Sequence, residues 1–304
     1  MRRGLYLYGA GGKGIDRILA DAAEAEALGF DTFWVSQTFD YDALTLIGLI
    51  GRETRRIELG SWVVPTFPRH PGALAQAALT AQAATGGRLV LALGTSHRAV
   101  IEKRLGIEFA SPVEHMRAYL KALDPLLAGR NAALDAPPIH AHLRLDVPGG
   151  RPPPVLVAAL QPRMLALAGA ASDGAALWLG SHAFLRDQAL PRLRAAAEEA
   201  GRSAPRIVCG LPIAVTDDAP AGRRAVARVV GPSARLPSYR AVLEAGGLER
   251  AEDAALVGTE AILEPRLRAL AELGVTDFHA VVVPVPCEGG SAERTRRFLA
   301  DRSF

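Results

Sequence analysis

Short apolar runs alternate with amphipathic helical stretches along the whole chain. The clearest run, residues 89–93, is apolar at five consecutive positions, which is typical of a strand covered on both faces. Seven further strand-like runs occupy residues 5–8, 30–35, 57–64, 155–159, 174–179, 207–215 and 278–283. Helical patterns separate these runs, so the chain predicts an α/β fold, a single (β/α)8 TIM barrel spanning 1–304. An open doubly wound sheet is the alternative, but that fold usually carries a glycine fingerprint after its first strand.

Two connections are longer than the barrel requires. Residues 217–257, after strand seven, have helical patterns broken at two Gly-containing pairs, and we interpret them as an insertion or lid. Residues 129–154 are rich in Pro, Gly, Asp and His, with a strand-like stretch at 139–143. His140 and His142 share a face if that stretch is extended. A metal site is one interpretation, but solvent exposure is favoured because Cys, Asp and Glu are missing at suitable spacing.

Composition narrows the class of protein. The chain has 304 residues, of which 49% are hydrophobic and only 6% aromatic, so Ala, Leu and Val must build the core. A formal net charge of +3, scattered along the chain, does not indicate a nucleic-acid partner. We find no apolar stretch near 18 residues and no signal-like N-terminus, and therefore expect a soluble, cytoplasmic protein without a membrane partner. The two cysteines lie far apart, which favours buried or incidental thiols over a disulfide or metal site.

A small polar turn follows the clearest strand and is the first candidate for an active site. Gly94 permits close backbone approach, Thr95 and Ser96 offer hydroxyls, and His97 titrates near neutral pH. In a (β/α)8 barrel this turn falls at the carboxyl ends of the strands, where active sites of such barrels lie. The position therefore favours a site around His97.

Other polar residues have simpler interpretations. Asp42 precedes an apolar helical run and is interpreted as a helix N-cap. His70 precedes a helix-starting proline and is interpreted as a structural hydrogen-bonding residue. The glycine-rich run at 9–14 matches neither the phosphate-loop ending nor the dinucleotide-binding register, so we interpret it as a flexible loop at the barrel mouth.

An ordered set of short motifs resembles the luciferase-like monooxygenase superfamily, in the branch that uses the deazaflavin coenzyme F420. The set runs through nearly the whole chain. Its members are Ala-Leu-Gly-Phe-Asp at 27–31, Arg-His-Pro at 69–71, Gly-Gly-Arg at 86–88, Leu-Gly-Thr-Ser-His-Arg at 93–98, Val-Ala-Ala-Leu at 157–160, Met-Leu at 164–165 and Ala-Ser-Asp-Gly at 171–174, with Trp178 beyond.

The resemblance implies a coenzyme site at the carboxyl ends of the strands. It implies a non-proline cis peptide near residues 61–63 that backs the coenzyme ring, a polar ring edge at 94–97, and a phosphate contact at 158–161. The cofactor-binding residues that it implies are Gln37, Thr38, Ser61, Trp62, Val63, Gly94, Thr95, Ser96, Ala158, Ala159, Leu160 and Gln161.

This chain departs from the sugar-phosphate dehydrogenases of that branch. Where they carry an Asp-His pair after strand two, this chain has Gln37 and Thr38, and neither is a useful acid or base near neutral pH. Their proton-donating glutamate after strand four corresponds to His97, and Leu160 or Gln161 replaces a usual glycine. We therefore expect no sugar-phosphate substrate, and His97 is the candidate catalytic proton donor or acceptor.

The resulting hypothesis is a coenzyme F420-dependent oxidoreductase that moves a hydride between the deazaflavin C5 and a small organic substrate. Two alternatives remain at this point: an FMN-dependent monooxygenase built on the same barrel, and a non-catalytic flavin-binding protein. The family is often dimeric, so the resemblance also implies a homodimer.

Overall fold

The computed structural model describes residues 1–7 and 12–302, and its strands follow one another in the order that the sequence predicts. The strands are β1 (Arg2–Leu7), β2 (Thr32–Ser36), β3 (Glu58–Trp62), β4 (Val64–Pro65), β5 (Leu89–Gly94), β6 (Ala132–Ala136), β7 (Ile139–Leu143), β8 (Val155–Ala158), β9 (Gly174–Trp178), β10 (Arg206–Val215), β11 (Leu256–Gly258) and β12 (Asp277–Val282).

Helices separate most of these strands. They are α1 (Ile15–Ala27), α2 (Ala43–Glu53), α3 (Pro71–Ala84), α4 (Arg98–Ile101), α5 (Pro112–Leu127), α6 (Pro162–Ala171), α7 (His182–Phe184), α8 (Leu190–Glu199), α9 (Ala219–Val230), α10 (Pro237–Ala245), α11 (Glu260–Leu273) and α12 (Ser291–Ala300). A π-helical turn joins α7 to α8. In the described part of the chain, no helix is both long and apolar enough to cross a membrane.

Parallel pairing closes the sheet into a barrel, which confirms the predicted fold class. Among the described residues, eight strands form the ring in the order β1, β2, β3, β5, β8, β9, β10 and β12, and β12 pairs again with β1. The short β4 continues β3 and pairs with β5, while β11 lies against the carboxyl end of β10. Because every ring strand is parallel, the carboxyl ends of all eight meet at one mouth.

The long connections contain more regular structure than the sequence predicted. Residues 132–143 form an antiparallel hairpin of β6 and β7, of which only β7 was expected. The insertion after the seventh ring strand holds α9, α10 and two 3₁₀ turns, and it ends in β11, which the sequence did not indicate. The helix that follows β5 is limited to the four residues of α4, and α3 begins at a proline, Pro71. Tyr8 and residues 9–11 of the predicted glycine loop lie outside the described residues.

Glycines make room for tryptophans inside the barrel. A Cβ on Gly60 would lie 2.1 Å from Trp34 Cε3, and one on Gly210 would lie 2.9 Å from Trp178 and 3.0 Å from Trp62. Trp34 is fully buried, and its indole N–H donates to the Thr32 hydroxyl at 2.8 Å. Large rings from some strands thus fill the interior that glycines on other strands leave open, as close packing requires.

Charged side chains close the opposite, amino-terminal end of the barrel. Arg206 makes a two-pronged ion pair with the buried Asp277, with N···O distances of 2.5 and 3.0 Å. Glu58 accepts from Arg206 at 2.8 Å and from Arg2 at 2.6 Å. Each of these residues begins, or nearly begins, its strand, so the ion-pair network lies at the end remote from the mouth.

Candidate active site at the barrel mouth

Strand register identifies the side chains that face the mouth. Residues paired in register point to the same side of a sheet, and the side alternates along each strand. A Cβ on Gly210 would lie 3.0 Å from the Trp62 ring, and the Tyr6 ring lies 6.3 Å from it. Trp62 is on β3, which is adjacent to neither β10 nor β1, so Gly210 and Tyr6 both face the inside of the barrel. Following the register from them gives one inward position near the carboxyl end of each ring strand, and these are Tyr6, Ser36, Trp62, Gly94, Ala158, Trp178, Pro212 and Val281. None of these eight carries a charge.

The third ring strand is interrupted at the mouth. β3 ends at Trp62, the Trp62–Val63 peptide bond is cis, and β4 resumes at Val64. The non-proline cis bond expected near residues 61–63 is therefore present. The Ser61 hydroxyl is fully buried and bonds to the backbone of Ala92, accepting from its N–H at 2.9 Å. Ser61 thus fastens β3 to β5, and its hydroxyl does not face the mouth.

Small residues lie directly across from this break. A Cβ on Gly94 would approach Val63 Cγ2 to 2.7 Å and Ala158 Cβ to 3.4 Å. Even a methyl group at 94 would collide with Val63, so glycine lets the Val63 side chain pack against the backbone of β5. The ends of β5 and β8 therefore form a close-packed, apolar surface beside Val63.

His97 lies at the rim of the mouth, two residues beyond the half-buried Thr95. Ser96 between them has a left-handed backbone with φ +60°, which is uncommon for a residue other than glycine. His97 Nδ1 is 3.3 Å from the Ser238 hydroxyl, and its ring meets that of Tyr239 edge-on at 5.1 Å. Burial lowers the pKa of His97 below its ordinary value. The imidazole is therefore mainly neutral at pH 7, with Nδ1 occupied and Nε2 remaining for a ligand.

Ser238 and Tyr239 belong to α10 of the insertion, which lies against the mouth. The Gln161 side-chain amide donates to the Ser238 carbonyl at 3.4 Å, so the same turn reaches the end of β8 as well as His97. The insertion thus contacts two predicted site segments that are far apart in the sequence.

The segment after β8 leads into the amino terminus of α6. Ala158 and Leu160 are half-buried, Ala159 is buried and Gln161 is exposed. Gln161 is the N-cap residue, and within the described chain no side chain caps the helix there. The backbone N–H groups of a first turn without a cap are suited to binding phosphate. The first turn of α6 fits the phosphate of a deazaflavin or flavin, and the apolar surface at Val63, Gly94 and Ala158 fits its ring.

Gln37 and Thr38 are occupied by local contacts. The Gln37 side-chain oxygen accepts from the Ala43 N–H at 2.9 Å, at the start of α2. The exposed Thr38 hydroxyl donates to Asp40 at 2.7 Å. Asp42 caps α2 by accepting from the Thr45 N–H at 2.9 Å, which confirms its interpretation as an N-cap.

A buried histidine supports the turn after β5 from behind. Thr66 N–H donates to the Gly94 carbonyl at 2.9 Å, and the Thr66 hydroxyl lies 3.0 Å from His115 Nε2. The ring of Phe67 stacks on His115 at 3.8 Å. Burial lowers the pKa of His115 to about 4, so this histidine is neutral and structural at pH 7.

The remaining histidine and cysteine interpretations can be compared with their positions. His70 Nδ1 accepts from the Gly72 N–H at 3.1 Å, which confirms a structural function at the start of α3. His140 and His142 are exposed on one face of the hairpin, as predicted, and both contact Asp135 on the neighbouring strand. No His, Cys, Asp and Glu grouping in the described ranges could hold a metal ion. Both cysteines are free, and burial raises the pKa of Cys209 to about 12.

Sequence reasoning missed several residues at the mouth and beneath it. Tyr6 was identified only as a strand residue and Trp178 only as part of a strand and of a family motif, although both face inward. His279, on the last ring strand, is fully buried and stacks on Trp62 at 4.0 Å with an angle of 18° between the rings. Ser238 was inside the predicted insertion, but its contact with His97 joins residues 141 positions apart. No local signal marks such a contact.

Comparison with solved structures supports the architecture. The chain is similar to a coenzyme F420-dependent tetrahydromethanopterin reductase from Methanopyrus kandleri, with a TM-score of 0.83 and 19% identity, over 98% of this chain and 97% of that one. It is also similar to an F420-dependent secondary alcohol dehydrogenase, with a TM-score of 0.80 and 17% identity, over 99% of both chains. At these identities the likeness concerns the fold alone.

Sequence comparison identifies the family. A putative coenzyme F420-dependent oxidoreductase of Mycobacterium tuberculosis is 35% identical over 42% of this chain, a match that spans only 36% of that protein. An uncharacterized protein of Mycobacterium bovis is 30% identical over 93% of this chain and 88% of its own length. The family model of the luciferase-like monooxygenases matches residues 3–277. This chain therefore belongs to the luciferase-like monooxygenase family.

Proposed function

We propose that this protein is a coenzyme F420-dependent oxidoreductase that transfers a hydride between the deazaflavin C5 and a small organic substrate. The observation that carries the proposal is the uncharged barrel mouth, where the small residues Gly94 and Ala158 lie at the strand ends and His97 lies at the rim beside Ser238. Relatives named as F420-dependent support the choice of coenzyme, among them an F420-dependent glucose-6-phosphate dehydrogenase from Nakamurella multipartita that is 31% identical over 60% of this chain.

Different residues at the mouth would hold different parts of the coenzyme. Val63, Gly94 and Ala158 would contact the ring, because they pack closely into one apolar surface at the mouth. The backbone of 158–161 and the first turn of α6 would hold the phosphate. Thr95 and Ser96 would offer hydroxyls to the polar ring edge. When bound, the deazaflavin accepts or supplies the hydride, and the protein provides orientation and a water-poor pocket.

His97 would handle the proton that accompanies the hydride. For an alcohol substrate, the carbon loses a hydride, which carries two electrons, and the hydroxyl loses a proton to His97 Nε2. In the tautomer whose Nδ1–H donates to the Ser238 hydroxyl, Nε2 of the neutral ring can accept that proton. Reduction of a carbonyl uses the same groups in the opposite direction, with protonated His97 as the acid. The lowered pKa of His97 favours its function as a base at neutral pH.

A titration with two cofactors tests this proposal. Purified protein is mixed with F420 and, separately, with FMN, and quenching of cofactor fluorescence is followed. We expect saturable F420 binding at micromolar concentration and much weaker FMN binding. Preferential FMN binding with oxygen uptake would instead favour the monooxygenase alternative, for which the similarity to an FMN complex of 3,6-diketocamphane monooxygenase from Pseudomonas putida (TM-score 0.80, 15% identity) is a reason.

Two further results would count against catalysis. Failure to bind either cofactor would contradict both enzyme proposals. Binding of F420 without hydride transfer to any alcohol or carbonyl would favour the non-catalytic flavin-binding alternative. The homodimer predicted from the sequence stays a prediction, which the native mass of the protein in solution tests.

A further inference from the structure

Three aromatic rings form the floor of the mouth. Tyr6, Trp62 and Trp178, which we call the aromatic floor, come from three different strands and meet across the barrel. The Tyr6 ring lies 6.3 Å from each indole, tilted by 58° to Trp62 and by 70° to Trp178. Each tryptophan retains 8% of its exposure and Tyr6 is half-buried. The upper edges of these rings are therefore the surface on which a molecule entering the mouth would rest.

Packing beneath holds the aromatic floor in place. His279 stacks under Trp62, and the fully buried Trp34 meets Trp62 edge-on at 5.4 Å. Gly210 leaves no free space between Trp62 and Trp178, since even a Cβ there would contact both. The rings are therefore a fixed apolar surface, because reorienting one would require its neighbours to move.

The described inward positions at the mouth lack the charge that would hold an anionic substrate. None of the eight inward side chains at the strand ends is charged. Three arginines near those ends already have carboxylate partners, in the pairs Arg69–Asp42, Arg98–Glu102 and Arg163–Glu114. The charged network of the barrel interior lies at the opposite end, around Arg206 and Asp277. A phosphate or carboxylate placed on the aromatic floor would lose water without gaining a cation, which is strongly unfavourable.

We infer that the substrate is an uncharged, mainly apolar molecule, with one hydroxyl or carbonyl group, that packs against the aromatic floor. This inference rests on the proposed function, because it assigns the substrate class of the same site. Apolar and aromatic contact with Tyr6, Trp62 and Trp178 supplies the affinity. The single polar group of the substrate faces His97, the titratable residue at the rim.

Binding of a matched pair of ligands tests the inference. The probes are cyclohexanol and trans-4-hydroxycyclohexanecarboxylate, which differ by one carboxylate. Tryptophan fluorescence reports ligand contact with the aromatic floor, because the chain has three tryptophans, which are the buried Trp34 and the two in the floor. We expect cyclohexanol to bind at least about 10-fold more tightly than the carboxylate, both in the protein alone and with F420 present.

Variants at position 178 separate contact from folding. Trp178→Ala should weaken cyclohexanol binding by about 10-fold, since it removes a large apolar contact. Trp178→Phe keeps an aromatic ring and should stay within about 3-fold of the wild type, so it remains informative if the alanine variant does not fold. The affinity for the carboxylate should change little in either variant.

Three results would overturn the inference: binding of the carboxylate or of glucose 6-phosphate as tightly as cyclohexanol, no saturable response to cyclohexanol, or equal binding by wild type and Trp178→Ala. Quenching of F420 fluorescence in the same samples separates this failure from failure of the proposed function. If F420 binds and the ligand preference is absent, only the substrate class is wrong.

Discussion

Two histidines occupy opposite settings in one barrel. His97 lies at the rim of the mouth, is half-buried, and has the Ser238 hydroxyl as a partner. His279 lies below the aromatic floor without exposure, and neither of its ring nitrogens has a hydrogen-bond partner among the described residues. His279 is packed as an aromatic ring, with Trp62, Tyr6 and Trp34 around it at 4.0, 4.5 and 5.3 Å.

Because both residues are histidines, the difference between them comes from their positions along the barrel axis, which determine whether the imidazole can reach a ligand. Burial lowers the pKa of both histidines, but much further for His279. Only His97 combines a polar partner with access to a ligand. Changes in the interior should therefore affect stability, and changes at the rim should affect turnover.

The largest effect on stability is expected in the interior at Gly60. In Gly60→Ala the new Cβ would lie 2.1 Å from the fully buried Trp34 ring, so the ring or the strand must shift. We expect a loss of about 3 kcal/mol in the free energy of unfolding, measured by urea denaturation. Gly48→Ala, in α2, is the matched control: its nearest neighbour is Ala84 Cβ at 3.9 Å, and alanine should stabilise the helix by about 0.5–1 kcal/mol. Equal stability of the two variants would contradict the packing described for the interior.

At the rim, His97→Gln should reduce turnover and leave stability nearly unchanged. Glutamine retains hydrogen-bonding capacity but cannot exchange a proton near neutral pH. We expect turnover with F420 and an accepted substrate to fall about 10²-fold, equivalent to about 2.7 kcal/mol in the barrier. Stopped-flow absorbance of the coenzyme measures it, with F420 affinity and urea denaturation as controls. Turnover near that of the wild type would exclude His97 as the proton carrier.

Lowering the pH should reduce the free energy of unfolding through the two interior histidines. His279 and His115 have folded-state pKa values below 6.5, so below pH 6.5 the unfolded chain binds protons that the folded protein does not. The contribution of each neutral histidine to the free energy of unfolding is therefore fully present above pH 6.5. As the pH falls below 6.5, this contribution is lost by about 1.4 kcal/mol per pH unit for each histidine. For His115 this loss continues to about pH 4.

His279→Phe sharpens this test because it keeps an aromatic ring and removes the titration. Between pH 6.5 and 5, the unfolding free energy of the variant should fall less steeply than that of the wild type. The difference between the two slopes should be about 1.4 kcal/mol per pH unit. Parallel pH dependence in the two proteins would mean that His279 is protonated as readily in the folded barrel as in the unfolded chain.

Most of the barrel could be predicted from the sequence because its strands are covered on both faces. Runs such as 89–93 stand out as uninterrupted apolar stretches between helical patterns. The same property hides the site, since a strand that is apolar on both faces does not reveal which residues point inward. The inward direction of Trp178 was therefore found only in the structure, where its pairing with Gly210 fixes it.

The parts that were not predicted depend on contacts distant in sequence or on very short strands. β11 has three residues and gains its strand character from pairing with β10. The neighbours of His97 come from α10, which the sequence placed in an insertion but could not orient. In contrast, the break after Trp62 was expected from the family resemblance, and the structure has it at that residue.

Histidine NMR during an F420 titration tests the central claim most directly, because it locates the coenzyme without needing a substrate. Each of the seven histidines gives a ring signal that its glutamine variant assigns. Saturating F420 should move the His97 signal and leave those of the exposed His140 and His142 unchanged. Without F420, His97 should titrate below pH 6.5, and Ser238→Ala should alter that pKa. Saturable F420 binding that leaves His97 unmoved would contradict the placement of the coenzyme at this mouth.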